Sequence, residues 1–342
     1  MAHQSFYRRY RPQSFKEVAG QEQVTTALAE QIKNGTPGHA YLFAGSRGLG
    51  KTSVARIFAR ELGASEKDIY EIDAASNNSV EDIRSLTENV YTLPFESPYK
   101  VYILDEAHML SKAAWNAFLK TLEEPPAHAI FILATTELDR VPETVLSRCQ
   151  VFTFKKPTRE GLAKVVASVA KKEGYTMEPS VADLIALLAE GSYRDALSIL
   201  EKVCATSADK KLTREEAEKA TGAPRSQLVQ ALVQAISEGK QDAALTAIRA
   251  VTDEDVDFNL YLTLVLESLR MVLLVRHAPE LRKELEAELG ETYAGIAELA
   301  KASDSKLTHH ALKYFLDAAS RARYSPVPAL PLELAVYELF EQ

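Results

Sequence analysis

Cysteine is nearly absent. Cys149 and Cys204 are the only two in 342 residues, far apart and in no paired spacing, which argues against both a disulfide framework and a zinc site. A reducing compartment suits such a chain. A long apolar run is lacking too. The most apolar stretch, Leu260 to Val275, is interrupted by Glu267 and Arg270 and falls short of the roughly 20 residues of a bilayer span, so no transmembrane helix is expected. Met1 to Ser14 carries Arg8, Arg9 and Arg11 without the apolar stretch of a secretory signal, and the expected location is the cytoplasm. Nor is there an excess of positive charge. Forty Lys and Arg face 48 Asp and Glu, a formal charge of −8, the wrong sign for a protein that coats DNA on its own. Any DNA contact must be local or shared. No Asn-Lys-x-Asp guanine-reading motif occurs, which disfavours GTP.

What is present is organised in blocks. Between Gly38 and Phe154, short apolar runs alternate with helical patterns: Ala40 to Ala44, Asp68 to Ile72, Val101 to Leu104, Ile130 to Ala134 and Val151 to Phe154. That alternation predicts a parallel sheet covered by helices, whose ligands sit beyond the carboxyl ends of the strands. After Lys156-Pro157 the strand signal disappears and apolar residues recur at helical spacing, as in Leu184, Leu187 and Leu188. A Gly/Pro break at Thr221-Gly222-Ala223-Pro224 precedes a further helical series. Three domains are expected: an α/β domain over 1–157, a small helical domain over 158–221 and an all-helical third domain over 222–342.

The chemistry begins after the first strand, where Gly45-Ser46-Arg47-Gly48-Leu49-Gly50-Lys51-Thr52 matches the P-loop pattern and Ser53 continues into a helix. Glycines let backbone N–H groups wrap phosphates, Lys51 brings a positive charge to the terminal phosphates, and Thr52 offers a hydroxyl to Mg2+. The helix N-terminus adds its dipole. The run Val101 to Leu104 ends in Asp105-Glu106. An acid at a buried strand end reaches the magnesium and the next one polarises water, so Asp105 is read as the metal partner and Glu106 as the catalytic base. Asp105-Glu106-Ala107-His108 also spells the box of a helicase family, but those enzymes need a second motor domain of comparable size, which the helical remainder does not supply. His108 is read as a local structural residue.

Several further segments make a resemblance specific. Tyr7-Arg8-Arg9-Tyr10-Arg11-Pro12 with Phe15 to Gln21, Glu71-Ile72-Asp73-Ala74-Ala75-Ser76, Leu119 to Pro126, Ala134-Thr135-Thr136, Ser147-Arg148-Cys149 and Gly191 to Leu197 are similar to the signatures of the clamp-loader AAA+ ATPases, with Leu119 to Pro126 closest to the bacterial gamma/tau branch. They span roughly the first 200 residues. The resemblance implies that Thr136, rather than Thr135, is the sensor orienting the attacking water, on a strand lying between those of the P-loop and Glu106. Arg194 is implied as a second sensor of the terminal phosphate, and Tyr7, Arg11 and Val18 as lining the adenine pocket. Arg148 is implied as a finger that completes the ATP site of a neighbouring subunit. Asn77, Asn78, Ser79 and Arg84 are implied at the DNA backbone, with helix capping by Ser76 or Asn77 as the plainer alternative. The Tyr91 to Phe95 loop either faces the clamp or buries its aromatics.

One departure stands out. Bacterial gamma/tau subunits usually carry a four-cysteine zinc module between the helix after the P-loop and the next strand, whereas here Leu62-Gly63-Ala64-Ser65-Glu66-Lys67 passes straight through. No zinc is expected. The reading is thus an α/β P-loop nucleotide domain with lid and collar, using ATP and Mg2+ to open a sliding clamp and load it on primer–template DNA. It would act beside delta-like and delta-prime-like subunits in a hetero-oligomer, expected as a pentamer, with no membrane partner. The competing readings are a branch-migration helicase and a scaffold that binds ATP without hydrolysing it.

Overall fold

A computed structural model describes residues 4–253, 256–289, 293–302, 305–322 and 324–341. The chain divides into two units, one comprising Met1–Gly174 and Ala182–Glu201, the other Tyr175–Val181 and Lys202–Gln342.

The first unit is built on five strands, β1 (Ala40–Ala44), β2 (Ile69–Asp73), β3 (Lys100–Asp105), β4 (Ala129–Thr135) and β5 (Gln150–Thr153). They pair in the order β2-β3-β4-β1-β5, every pair parallel. Each expected strand is present to within two residues at its ends, and β4 lies between β1 and β3 as the resemblance implied. β1 and β4 are buried at every position, because both faces of the sheet are covered, and this is why they read as unbroken apolar runs.

The helices of this unit are α1 (Phe6–Arg9), α2 (Glu22–Lys33), α3 (Lys51–Glu61), α4 (Val80–Val90), α5 (Lys112–Glu123), α6 (Glu143–Leu146) and α7 (Arg159–Lys172), with α8 (Pro179–Leu188) and α9 (Tyr193–Thr206) running across the division. Alternate strand residues face opposite layers. Tyr41, Phe43, Val101, Ile103 and Ile132 pack with Val54 and Phe58 of α3. Leu42, Tyr102, Leu104, Phe131 and Leu133 pack with Ile83 and Leu86 of α4 and with Trp115 and Phe118 of α5. The sheet thereby fixes the carboxyl ends of β1, β3 and β4 side by side.

The second unit contains α10 (Arg214–Thr221), α11 (Ser226–Ser237), α12 (Gln241–Asp253), α13 (Phe258–His277), α14 (Arg282–Leu289), α15 (Tyr293–Lys301), α16 (His309–Ala322) and α17 (Leu330–Phe340). Gly222, at φ 75, ends α10 at the expected Gly/Pro break. Two features depart from the sequence reading. Beyond Pro157 the chain is not purely helical, since β6 (Thr176–Met177) and β7 (Lys211–Leu212) pair in parallel; two-residue strands carry no periodicity to read. The apolar run at 260–275 belongs to a helix of 20 residues, long and apolar enough to cross a membrane by those two criteria. Yet Tyr261, Leu262, Val265, Leu269 and Val272 of α13 are buried among residues of α11, α12, α16 and α17, which makes it the central helix of this core.

Candidate nucleotide site

The cleft follows from the loop between β1 and α3. Gly45 (φ 151), Gly48 (φ 78) and Gly50 (φ 92) all take positive φ, conformations that glycine adopts without steric cost. At Gly48 the need is also one of space, because an added Cβ would lie 2.0 Å from Ser192 Oγ. Gly50 is the N-cap of α3, so the N–H groups of the first turn have no preceding helical carbonyl to bond and the positive end of the helix dipole faces the cleft. Lys51 folds back on this loop, Nζ donating to the carbonyls of Gly45 at 2.7 Å and Ser46 at 2.9 Å. Burial lowers its pKa, opposed by the nearby carboxylates of Glu106 and Asp105; a buried cation beside unpaired N–H donors is a ready anion site.

Thr52 Oγ1 donates to Asp105 Oδ2 at 2.7 Å. This hydroxyl and carboxylate, from the start of α3 and the end of β3, are the oxygen ligands that Mg2+ takes beside phosphates, so the residues present fit both ATP and its metal. Glu106, next along, has φ 48, and its Oε2 accepts from Thr136 Oγ1 at 3.1 Å. Thr135, by contrast, is fully buried, and its hydroxyl bonds the Glu137 backbone.

The cavity, about 770 Å³, is lined by Tyr7, Arg11, Val18, Arg47, Gly48, Leu49, Gly50, Lys51, Thr52, Ser53, Asp105, Glu106 and Arg194. Arg11 Nε donates to Ser53 Oγ at 2.8 Å, and burial lowers the Arg11 pKa. The Arg194 guanidinium carbon lies 4.9 Å from the centre of the Tyr7 ring. A second, shallower hollow is lined by Ser46, Arg47, Glu106, His108 and Thr136, with Ala75 and Met109. The structure thus sets Tyr7, Arg11, Val18, the loop residues from Arg47 to Ser53, Asp105, Glu106 and Arg194 around the cavity, with Ser46 and Thr136 in the second hollow and Gly45 lining neither. Two residues the sequence reading left without a role are also here. Tyr193 N–H donates to the Gly48 carbonyl at 3.1 Å, its hydroxyl donates to the Ala19 carbonyl at 3.0 Å, and Ser192 fills the space beside Gly48. Their segment had drawn notice for Arg194 alone.

Arg148 stands apart, lining neither hollow. Its guanidinium bonds the Glu123 carboxylate and donates to the Thr144 carbonyl at 2.6 Å. Asn77, Asn78, Ser79 and Arg84 are likewise outside the cleft, at the start of α4. The cap expected of Ser76 or Asn77 belongs to Ser79, which forms a capping box with Asp82; Ser76 and Asn77 are drawn instead to Asp73. Burial does not explain the loop aromatics, since Tyr91 is 57% and Phe95 73% exposed, with Leu93 between them at 79%.

Three family models cover most of the chain. One described as DNA polymerase III, delta subunit, matches residues 20–78 and 64–158; the clamp loader subunit ATPase lid domain matches 162–209; gamma and tau domain III matches 212–341. DNA polymerase III subunit tau of Bacillus subtilis is 38% identical over 320 residues, covering 87% of this chain and 57% of that protein. The Escherichia coli tau subunit is 36% identical over 317 residues, covering 86% and 48%. The chain therefore spans about half the length of the curated relatives it matches. Among solved structures, the Thermotoga maritima RuvB Holliday junction branch migration motor superposes with a TM-score of 0.54 at 20% identity, covering 86% of this chain and 89% of that one, a likeness of fold. P-loop, lid and helical C-terminal segment follow one another in a single order, and by these matches the chain belongs to the gamma and tau family of DNA polymerase III clamp-loader subunits.

Proposed function

We propose that the chain is the ATPase motor subunit of a sliding-clamp loader, coupling ATP binding and hydrolysis to clamp opening and loading on primer–template DNA. The observation that carries the reading is the pairing, at adjacent strand ends, of Thr52 with Asp105 and of Thr136 with Glu106, in a chain of this family. Lys51 exchanges the carbonyls of Gly45 and Ser46 for the terminal phosphates. Thr52 and Asp105 would hold the Mg2+, whose chemistry there would be to neutralise charge on the phosphates. Glu106 takes the proton of the attacking water, and Thr136 holds the carboxylate in place for it. Arg194 contacts the terminal phosphate, while Tyr7, Arg11 and Val18 enclose the base.

Arg148, outside its own cleft, serves the site of a neighbouring subunit in a hetero-oligomer with delta-like and delta-prime-like subunits, expected as a pentamer. Residues 158–221 act as the lid and 222–342 as the collar that holds the ring. Asn77, Asn78, Ser79 and Arg84 meet the DNA backbone, the exposed Tyr91 to Phe95 loop faces the clamp, and the complex works in the cytoplasm without zinc. A scaffold that only binds ATP has no use for Glu106 and Thr136 set against each other. The test is ATP-dependent transfer of a clamp onto primed circular DNA by the assembled complex; strand unwinding without clamp transfer would instead favour a branch-migration motor.

A further inference from the structure

Two turns carry the groups at the reacting end of the cleft. Glu106 follows β3 and holds a left-handed backbone, a strained region for a side chain with a Cβ that persists only where neighbours over-determine it. Thr136 follows β4. Between them lies His108, in the turn Ala107–Met109, its side chain only 6% exposed. Its Nδ1 is 3.1 Å from Thr135 Oγ1 and 3.6 Å from Glu106 Oε2. Its Nε2 is 3.3 Å from Glu137 Oε1.

Thr135 Oγ1 lies 3.1 Å from both the Glu137 carbonyl and His108 Nδ1 and accepts the Glu137 N–H at 3.0 Å, the ring tautomer setting which partner donates to which. Both ring nitrogens are therefore aimed at the turn after β4, while the ring edge lies beside the Glu106 carboxylate. Glu137 is in turn held by Arg140 Nη1 at 3.2 Å. Glu106, with a third of its side chain exposed, has the Thr136 hydroxyl and this ring both against one carboxylate oxygen, Oε2.

We propose that His108 is a positioning residue for ATP hydrolysis, tying the turn that carries Glu106 to the turn that carries Thr136 so that base and sensor keep one geometry. The inference rests on Glu106 and Thr136 acting in that reaction. The ring's polar partners are Thr135, Glu106 and Glu137, and it shares only the second hollow with Ser46 and Arg47 of the phosphate loop, so its removal acts on turnover more than on nucleotide binding.

Asparagine and glutamine separate the two ends of the ring, since the amide nitrogen of Asn reaches the place of Nδ1 and that of Gln the place of Nε2. The assembled complex is compared with wild-type, Glu106→Gln, His108→Asn, His108→Gln and His108→Leu chains, reading kcat by phosphate release and affinity with a fluorescent non-hydrolysable ATP analogue. His108→Leu is expected to lower kcat about ten- to a hundredfold, the cost of a displaced catalytic group, with analogue affinity within about twofold of wild type. His108→Asn restores most of the rate, and His108→Gln restores less. Wild-type kcat in all three His108 variants, in a complex where Glu106→Gln abolishes turnover, overturns the inference alone. Equal loss in all three together with lost analogue binding assigns His108 to folding and also overturns it. A wild-type complex that binds the analogue but releases no phosphate overturns the proposed function, and this inference with it.

Discussion

Thr136 Oγ1 donates to Glu106 Oε2 at 3.1 Å across two strand ends separated by 30 residues of chain. Its neighbour Thr135 is fully buried and turned to the Glu137 backbone. Thr135 is the last residue of β4 and Thr136 the first beyond it, so the two neighbouring hydroxyls meet different partners. Thr136→Ala should lower kcat and leave ATP affinity unchanged, whereas Thr136→Ser, which keeps the donor, should retain most of the rate. Thr135→Ala should lower thermal stability first. Wild-type kcat in Thr136→Ala would remove the sensor assignment from Thr136.

Arg148 lies outside both hollows and is tied to Glu123 and Thr144 of its own chain. If it completes a neighbour's site, Arg148→Ala should leave ATP affinity of its own subunit nearly unchanged while removing the ~10³ to 10⁵ in rate that such a finger supplies. Mixing separates the cases. Lys51→Ala chains, which keep the finger, should partly rescue Arg148→Ala chains, which keep the cleft, when both enter one complex. Absence of rescue despite demonstrated co-assembly would place the action of Arg148 within its own chain, or nowhere.

Asp68 is fully buried where α3 gives way to β2. Burial by itself raises the pKa of its carboxyl, but bonds from the backbone of Phe95 and Glu96 and from Ser97 and Ser65 hold it down to about 2. A depressed folded-state pKa means that the stabilisation is complete above the unfolded value of about 3.9 and is lost as pH falls through about 2. Asp68→Asn should therefore be less stable than wild type at pH 7, and urea unfolding should show the gap closing between about pH 4 and pH 2. A gap constant over that range would show that the carboxylate is not held by these donors.

In the second unit, Arg276 near the end of α13 donates to the carbonyls of Leu299, Ala300, Ala302 and Leu307. These include the last carbonyls of α15, which have no partner within that helix. Lysine cannot reproduce this fork. Arg276→Lys should cost roughly 1–3 kcal/mol in guanidinium unfolding, without changing ATP affinity. An unchanged unfolding midpoint would mean that water replaces the fork at no cost.

Much of the first unit was legible because β1, β3 and β4 are buried on both faces and so appear as apolar runs; the reading of Val101 to Leu104 missed only the ends of Lys100–Asp105. Lys100 itself was not legible as a strand residue. It is buried because its Nζ reaches the Asn89 carbonyl and Thr92 Oγ1, both at 2.7 Å. The P-loop and the acid pair could be read because their chemistry is local, at fixed spacing. His108 and Tyr193 could not, since each acts through a partner that only the sheet brings near: Thr135, 27 residues away, for the first, and the P-loop carbonyl of Gly48 for the second. At α4, Ser76, Asn77 and Ser79 are equally plausible caps by type. Asp82, three residues after Ser79, decides among them.

The most direct measurement compares Lys51→Ala with Glu106→Gln in the complex assembled with its partner subunits, reading ATP binding and phosphate release with and without clamp and primed DNA. Lys51→Ala should lose nucleotide binding, because this lysine acts on the bound phosphates. Glu106→Gln should bind ATP as wild type does and release no phosphate, while the wild-type rate should rise when clamp and primed DNA are added. Equal loss of binding in both variants, or a wild-type complex that binds ATP and stays silent with clamp and DNA present, would contradict an ATP-hydrolysing clamp-loader motor.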